Sequence, residues 1–187
     1  MADEVLVAEN LGARTRRGWV FRNVDLAVAE GEVVTLSGAA GSGRTSLLLA
    51  LAGHFKTSEG TVRRSARGAL AYVAGVNEPE PGLTVAEHVE ERLMLLGRAS
   101  WSPPKRRRQA VERLQGVPLK PETLGRDLDP LGAHLLCLAL AQVNEPGIIF
   151  ADDVDSGLSE VERRTLVDAL KDSGAAVVVT AREEVAA

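Results

Sequence analysis

A glycine-rich segment between an apolar run and a helical run has the residue types and spacing of a phosphate-binding loop. Its residues are Gly38, Ala39, Ala40, Gly41, Ser42, Gly43, Arg44, Thr45 and Ser46. The three glycines let the backbone turn so that its N–H groups converge on an anion, and the following helix directs its positive N-terminus to the same place. The Thr45 hydroxyl is suited to a Mg²⁺ ion.

Arg44 occupies the position that the strict pattern Gly-x-x-x-x-Gly-Lys-Ser/Thr gives to lysine. The nearest lysine in the sequence is Lys56. Arginine keeps the positive charge, but its guanidinium is a bulky planar fork, whereas a lysine ammonium is a compact point charge. We therefore expect weaker phosphate binding than a lysine loop would give. A strand-to-helix turn that binds no ligand is the alternative.

Short runs rich in Val and Ile alternate with helical patterns along the chain. The predicted strands are Val5–Ala8, Asp25–Val28, Val33–Ser37, Leu70–Val73, Gly147–Ala151 and Ala175–Thr180. The runs at 33–37, 147–151 and 175–180 are apolar on both faces, as in a parallel sheet covered by helices. Capping boxes at Thr84–Glu87 and Ser159–Glu162 predict two helix starts.

These patterns predict an α/β fold in a single domain over residues 1–187. We expect a mostly parallel sheet flanked by helices, an antiparallel β layer from the N-terminal segment and a small helical insert over about 86–130. Asp152 follows the apolar run 147–151, at a strand end where it could organise Mg²⁺ and its waters.

Composition excludes several classes of protein. The net charge of −4 argues against a general nucleic-acid binder, and the single Cys137 cannot form an internal disulfide or a cysteine-rich zinc site. No run approaches the ~18 apolar residues of a membrane span, and the first residues lack the pattern of a signal peptide. We therefore expect a cytoplasmic protein.

Several motifs around the glycine-rich loop occur together in a known order. They are Val24-Asp-Leu-Ala-Val-Ala-Glu-Gly-Glu-Val-Val34, Leu51-Ala-Gly53, Gly82-Leu-Thr-Val-Ala-Glu87 and Gly147-Ile-Ile-Phe-Ala-Asp152-Asp153. With these motifs the chain resembles the nucleotide-binding domain of ATP-binding-cassette (ABC) transporters over nearly its whole length. The resemblance implies a P-loop core with its β layer at 1–85 and 131–187, and a helical subdomain at about 86–130.

The resemblance also implies cofactors and roles. ATP and Mg²⁺ would bind at residues 38–46, with Thr45 and Asp152 on the metal. Asp153 stands where the family has the glutamate that activates the attacking water, and it is one methylene shorter. The implied partners are an integral-membrane permease subunit and a second ABC nucleotide-binding domain, in a homodimer or a heterodimer. The chain would then lie peripherally at the inner face of the cell membrane.

Other family positions are altered in this chain. Gly75 replaces the glutamine that senses Mg²⁺ and the permease, with Asn77 as a weak substitute, and Ala181 replaces the switch histidine. The signature aligns with 128–132, where Asp129 replaces the serine and would repel a γ-phosphate. We therefore predict little or no ATPase activity for the isolated chain. A non-hydrolysing regulatory or scaffolding protein is the alternative, and a P-loop kinase is disfavoured by the helical insert.

Two further features have two possible roles each, and the histidines are given no metal-binding role. Trp19 either packs against the protein or replaces the aromatic residue that stacks on adenine in the family. The basic run Lys105–Arg108 is either a solvated helix face or a contact with an acidic partner or lipid head groups. No metal-binding role is predicted for the histidines, which are His54, His88 and His134.

Overall fold

A computed structural model describes residues 3–182 of the chain as two sheets and five α-helices, with one short 3₁₀ helix at Gly125–Asp127. The strands are β1 (Glu4–Thr15), β2 (Gly18–Ala29), β3 (Val33–Ser37), β4 (Glu59–Arg64), β5 (Gly68–Leu70), β6 (Ile148–Ala151) and β7 (Ala176–Ala181). The α-helices are α1 (Arg44–Ala52), α2 (Val85–Leu95), α3 (Pro103–Arg113), α4 (Pro130–Gln142) and α5 (Glu160–Lys171). The mixed α/β architecture predicted from the sequence is confirmed.

The larger sheet is parallel and has the strand order β3-β7-β6-β5. Successive residues of its central strands point to opposite faces. Ile148 and Phe150 of β6 pack with the antiparallel sheet and α1, whereas Ile149 packs with α4 and α5. The double-sided burial explains why these strands are apolar at every position except Thr180 of β7.

The smaller sheet is antiparallel, with the strand order β2-β1-β4. It covers the parallel sheet on the face that also carries α1. The strands β1 and β2 extend well beyond the predicted runs 5–8 and 25–28. Their register shifts between Ala8 and Leu11, beside Asn10, whose φ of 47° is left-handed. The irregular register breaks the apolar alternation on which the shorter prediction rests.

Helices α2, α3 and α4 share a third apolar cluster, away from the two faces of the parallel sheet. Both predicted capping boxes are present, at the starts of α2 and α5. The Thr84 hydroxyl accepts from the Glu87 N–H at 3.3 Å, and the Glu87 carboxylate accepts from the Thr84 N–H at 2.7 Å. None of the helices within residues 3–182 combines the length and the apolar character that crossing a membrane requires.

Two strand predictions need correction. The predicted strand at 70–73 is instead β5 at Gly68–Leu70, and the chain then turns at 74–76, where Val73 pairs with Asn77. Strand β4 was not predicted. Its sequence is mostly polar and exposed, as is common at a sheet edge, so it lacks the apolar run that indicates a strand.

Candidate functional site

The glycine-rich loop joins the end of β3 to the start of α1. Gly41 and Gly43 have left-handed φ angles of 80° and 87°. A Cβ atom on Gly43 would lie 2.4 Å from the Val20 carbonyl oxygen, so both the conformation and the close approach to β2 require glycine here. Helix α1 has no side-chain cap and no acidic residue in its first turn. Its free N–H groups and positive end are therefore available to an anion.

Arg44, at the first position of α1, folds back onto its own chain. Its Nη1 donates to the carbonyl of Gly38 at 2.5 Å and also to the carbonyl of Ala181. Its Nη2 lies 3.4 Å from Oδ1 of Asp153, and only 11% of the side chain is exposed. The guanidinium thus joins the loop, the end of β7 and the acidic residue after β6.

Asp152 lies at the end of β6 and is 1% exposed. The Thr45 hydroxyl donates to its Oδ2 at 2.8 Å, and the Thr180 hydroxyl of β7 donates to its Oδ1 at 2.5 Å. The two residues predicted to hold Mg²⁺ are therefore in direct contact, although they are 107 positions apart in the chain. A hydroxyl beside a carboxylate at a helix N-terminus is a donor set that fits Mg²⁺.

Asp153 is held in a left-handed conformation, with a φ of 45°. Its N–H donates to the Thr180 hydroxyl at 2.8 Å, so Thr180 links the two neighbouring aspartates. Burial and the nearby Asp152 raise the pKa of the Asp153 carboxyl, and Arg44 opposes them. A raised pKa makes this carboxylate a stronger base than a free aspartate.

The loop and Asp153 border an open cleft of about 390 Å³. The predicted residues that line it are Ala40, Gly41, Gly43, Arg44, Thr45, Ser46 and Asp153. The remaining predicted residues, Gly38, Ala39 and Ser42, lie in the turn itself, where the Ser42 N–H donates to the Ala39 carbonyl. Asp152 lies behind Thr45. The assignment of these residues to ATP and Mg²⁺ stays a prediction.

Three residues of this region were not singled out in the sequence. Val20 and Arg182 also line the cleft. Thr180 of β7 links Asp152 and Asp153 through its hydroxyl. The position of Arg182 could have been found, because the end of β7 lies beside the end of β3 in a parallel sheet. Its guanidinium adds a positive charge to a cleft that is suited to anions.

Comparison with known proteins decides the family. The model of the ABC transporter family matches residues 21–156, well over half of the chain. The chain belongs to the ABC transporter family.

Curated relatives and a solved structure agree with this assignment. The chain is 29% identical over 186 residues to the zinc import ATP-binding protein ZnuC of Jannaschia sp. (strain CCS1), covering 96% of this chain and 73% of that protein. It is 31% identical over 183 residues to the cytochrome c biogenesis ATP-binding export protein CcmA of Nitrosococcus oceani, covering 91% and 81%. The fold superposes with a TM-score of 0.79 on the ATP-binding cassette MJ0796, in a dimeric post-hydrolysis state bound to ADP and Pi, at 24% identity over 95% of this chain and 88% of that one.

In this ABC family member, the segment 128–132, which the sequence predicts to be the signature, spans the start of α4. Asp129 is the N-cap of the helix, and its Oδ1 accepts from the Gly132 N–H at 2.6 Å. Pro130 occupies the first helical position, which has no need of an N–H donor. The aspartate therefore caps the helix as a serine could, but it adds a negative charge at that end.

The side-chain amide of Asn77, the weak substitute predicted for the missing glutamine, is engaged within its own chain. It donates to the carbonyls of Ala71 at 2.5 Å and Leu70 at 3.3 Å, where it holds the turn after β5. Gly75 lies within this turn, with a left-handed φ of 70°. Ala181 acts through its backbone, since its carbonyl accepts from Arg44.

Trp19 is 38% exposed and lies on the surface of the antiparallel sheet. The guanidinium carbons of Arg14 and Arg22 lie 5.6 and 4.8 Å from its ring centroid, within the range of cation–π contacts. Its ring also covers Gly12. Trp19 therefore packs against its own sheet, with more exposure than is usual for a large aromatic side chain. Stacking of Trp19 on adenine stays a prediction.

Two of the three histidines, His88 and His134, are buried, as is Cys137. His88 is buried, with Nε2 accepting from the Glu80 N–H at 2.8 Å. His134 of α4 is buried against the Tyr72 ring, with the ring centroids 4.3 Å apart. Burial lowers the pKa of His134 to about 4 and raises the pKa of the Cys137 thiol to about 12.

Proposed function

We propose that this chain is the ATP-binding subunit of an ABC-type membrane transporter. It binds Mg-ATP at residues 38–46 and hydrolyses it weakly or not at all. The observation that supports this most strongly is the 2.8 Å contact between the Thr45 hydroxyl and the Asp152 carboxylate. This contact lies at the uncapped N-terminus of α1, beside a cleft lined by the loop.

The named relatives support the transport role, but they move different cargo. They include the zinc importer, the cytochrome c biogenesis exporter and the aliphatic sulfonates import ATP-binding protein SsuB of Bacillus subtilis. The last is 27% identical over 165 residues, and the alignment covers 62% of its length. The shared feature is ATP binding, so no cargo is assigned to this chain.

The proposed partners follow from the same comparisons. An integral-membrane permease subunit would hold the chain at the inner face of the cell membrane. A second ABC nucleotide-binding domain, identical or different, would face the cleft, as the dimeric form of the MJ0796 cassette suggests. The segment at about 86–130 is proposed to form the helical subdomain.

Within the site, each residue has a distinct proposed task. The backbone N–H groups of the loop hold the phosphates, and Thr45 with Asp152 holds the metal. Bound Mg²⁺ would neutralise phosphate charge. Asp153 would orient the attacking water and accept its proton, and its raised pKa suits that task. Thr180 fixes both aspartates relative to each other.

Two features of the site oppose rapid hydrolysis. The ion pair with Arg44 engages the Asp153 carboxylate, which is already short for its proposed task. Asp129, the N-cap of α4, would bring a negative charge toward the γ-phosphate of an ATP molecule bound by a partner domain. Because phosphoryl transfer depends on positioning and charge stabilisation, these changes act on the same step. The second candidate function is that of a regulatory or scaffolding protein that does not hydrolyse ATP. The same two features favour it.

Titration calorimetry with ATP, with and without Mg²⁺, tests nucleotide binding. We expect saturable binding to the natural chain that Mg²⁺ strengthens. Thr45→Ala and Asp152→Asn should reduce the effect of Mg²⁺, whereas Asp168→Asn, an exposed aspartate on α5, should not. Circular dichroism checks that the variant of the buried Asp152 is folded. The proposal is wrong if neither the natural chain nor Arg44→Lys binds nucleotide.

A further inference from the structure

The connection between α2 and α3 exposes large apolar side chains. Trp101 is 99% exposed, Leu95 77% and Met94 50%. All three lie within eight residues, at the end of α2 and just before α3. We call residues 94–108 the α2–α3 tip. A cleft of about 300 Å³ opens in this tip beside Trp101 and Met94. Such a cluster on a charged protein surface indicates a contact with another apolar surface.

Basic residues surround these apolar side chains. Of the 22 basic and 26 acidic residues of the chain, seven basic and one acidic lie within 92–113, which leaves 15 basic and 25 acidic elsewhere. Positive charge therefore predominates in the segment 92–113, which follows Glu90 and Glu91 of α2, and negative charge predominates in the remainder of the chain. The N-terminus of α3 adds the positive end of a helix dipole with no acidic residue in its first turn.

The charges at the tip are only partly neutralised by the protein. Glu90 accepts from both Arg106 at 3.2 Å and Arg107 at 3.3 Å, so one carboxylate serves two guanidinium groups. Lys105 and Arg108 are exposed, and neither makes an ion pair with any other residue between 3 and 182. The basic run therefore keeps charge that is available to an anionic surface.

We propose that the α2–α3 tip docks on an anionic lipid surface. Trp101 and Leu95 enter the boundary between head groups and acyl chains, while Lys105 and Arg108 bind the head groups. An amphipathic indole beside aliphatic and basic side chains has the composition of an interfacial membrane contact. The acidic remainder of the chain is repelled by the same surface, which orients the tip toward it. This contact goes beyond the proposed nucleotide binding and needs neither ATP nor a permease.

An acidic protein partner would use the charges but would not need a fully exposed tryptophan and leucine. The lipid surface uses both features, and this is why we favour it. The test separates the two partners, because a soluble polyanion offers charge without an apolar layer.

Co-sedimentation of the purified chain with phosphatidylcholine vesicles, with and without phosphatidylglycerol, tests the proposal. We expect binding only to the anionic vesicles, weakened by salt. Lys105→Gln/Arg108→Gln should weaken it by about fivefold per charge. The matched control Lys56→Gln/Lys171→Gln removes two exposed charges elsewhere and should have little effect. Trp101→Ala should weaken binding on the order of tenfold, because it removes the apolar area that the indole buries in the vesicle. Val161→Ala, at an exposed apolar position on α5, should not weaken it.

A spectroscopic readout reports the position of the tryptophan directly. In a Trp19→Phe background, the emission of Trp101 should shift to shorter wavelength with anionic vesicles and not with polyglutamate. Equal binding to neutral vesicles, equal losses in the two double variants, or an unchanged Trp101 emission would overturn the proposal. Tight polyglutamate binding that Trp101→Ala leaves unchanged would instead indicate an acidic protein partner. Because no nucleotide is present, failure here leaves the proposed function untouched.

Discussion

Arg44→Lys is expected to change nucleotide affinity and protein stability in opposite directions. In the free chain, Nη1 of Arg44 contacts two backbone carbonyls, and Nη2 contacts Asp153. A lysine has one nitrogen and cannot occupy both positions, so at least one of these contacts is lost. The free protein is then less stable. Bound phosphates, in contrast, no longer compete with the carbonyls and Asp153 for the positive charge.

The magnitudes follow from the contacts. A hydrogen bond to a charged group contributes about 1.5–3 kcal/mol. We therefore expect Arg44→Lys to lower the free energy of unfolding by about that amount. In the natural chain, the nucleotide must displace this contact of Arg44 before the positive charge can reach the phosphates. Because 1.4 kcal/mol corresponds to a factor of ten, Arg44→Lys should tighten Mg-ATP binding by about 10- to 100-fold.

Titration calorimetry and urea unfolding of the same preparations measure both effects. Arg164→Lys is a charge-matched control, because that arginine is 75% exposed on α5. It should change neither quantity by more than a few tenths of a kcal/mol. Unchanged affinity in Arg44→Lys would refute the argument that the internal contacts of Arg44 compete with the nucleotide. Unchanged stability would show that these contacts contribute nothing to the fold.

Substitutions at three further positions test the neighbourhood of the site. Burial lowers the pKa of His134 to about 4, so the folded chain binds fewer protons than the unfolded chain between about pH 6.5 and 4, and stability falls as the pH falls through this window. His134→Leu should reduce that fall by up to about 3 kcal/mol in urea unfolding at a series of pH values; an identical pH profile would contradict it. Thr180→Val should destabilise the chain by about 2 kcal/mol, because the buried Asp152 carboxylate loses a donor, and a loss below the error of the unfolding measurement would contradict it. Asp129→Ala should lose about 1 kcal/mol through the helix cap but leave the Mg-ATP affinity of the isolated chain unchanged, and Asp129→Ser should retain most of the stability.

The elements that could be predicted are those whose local pattern agrees with their final environment. Residues 33–37 are apolar on both faces and form β3 with those bounds, and the capping boxes at Thr84 and Ser159 begin helices where predicted. Strand β4 could not be predicted, since it is an edge strand whose pairing with β1 uses backbone groups and demands little of its side chains.

The site also has a part that the local sequence predicts and a part that depends on tertiary contacts. The spacing of the glycines and Thr45 identifies the loop, because the turn needs those residue types locally. The direction of the Arg44 side chain depends on the Ala181 carbonyl, 137 positions away, and on an aspartate from a third strand end. The role of Thr180 is likewise visible only when β6 and β7 are paired. Such contacts are tertiary, and no local pattern encodes them.

ATP turnover by the purified chain, alone and with a candidate partner domain, tests the central claim most directly. The chain alone should bind Mg-ATP but release phosphate at close to the background rate, and Asp153→Asn should change this rate little. Activity that appears only with the partner would agree with a role as the weaker half of an asymmetric pair. Rapid turnover by the chain alone, abolished by Asp153→Asn, would contradict the account, because it would show that Asp153 still reaches the water despite Arg44.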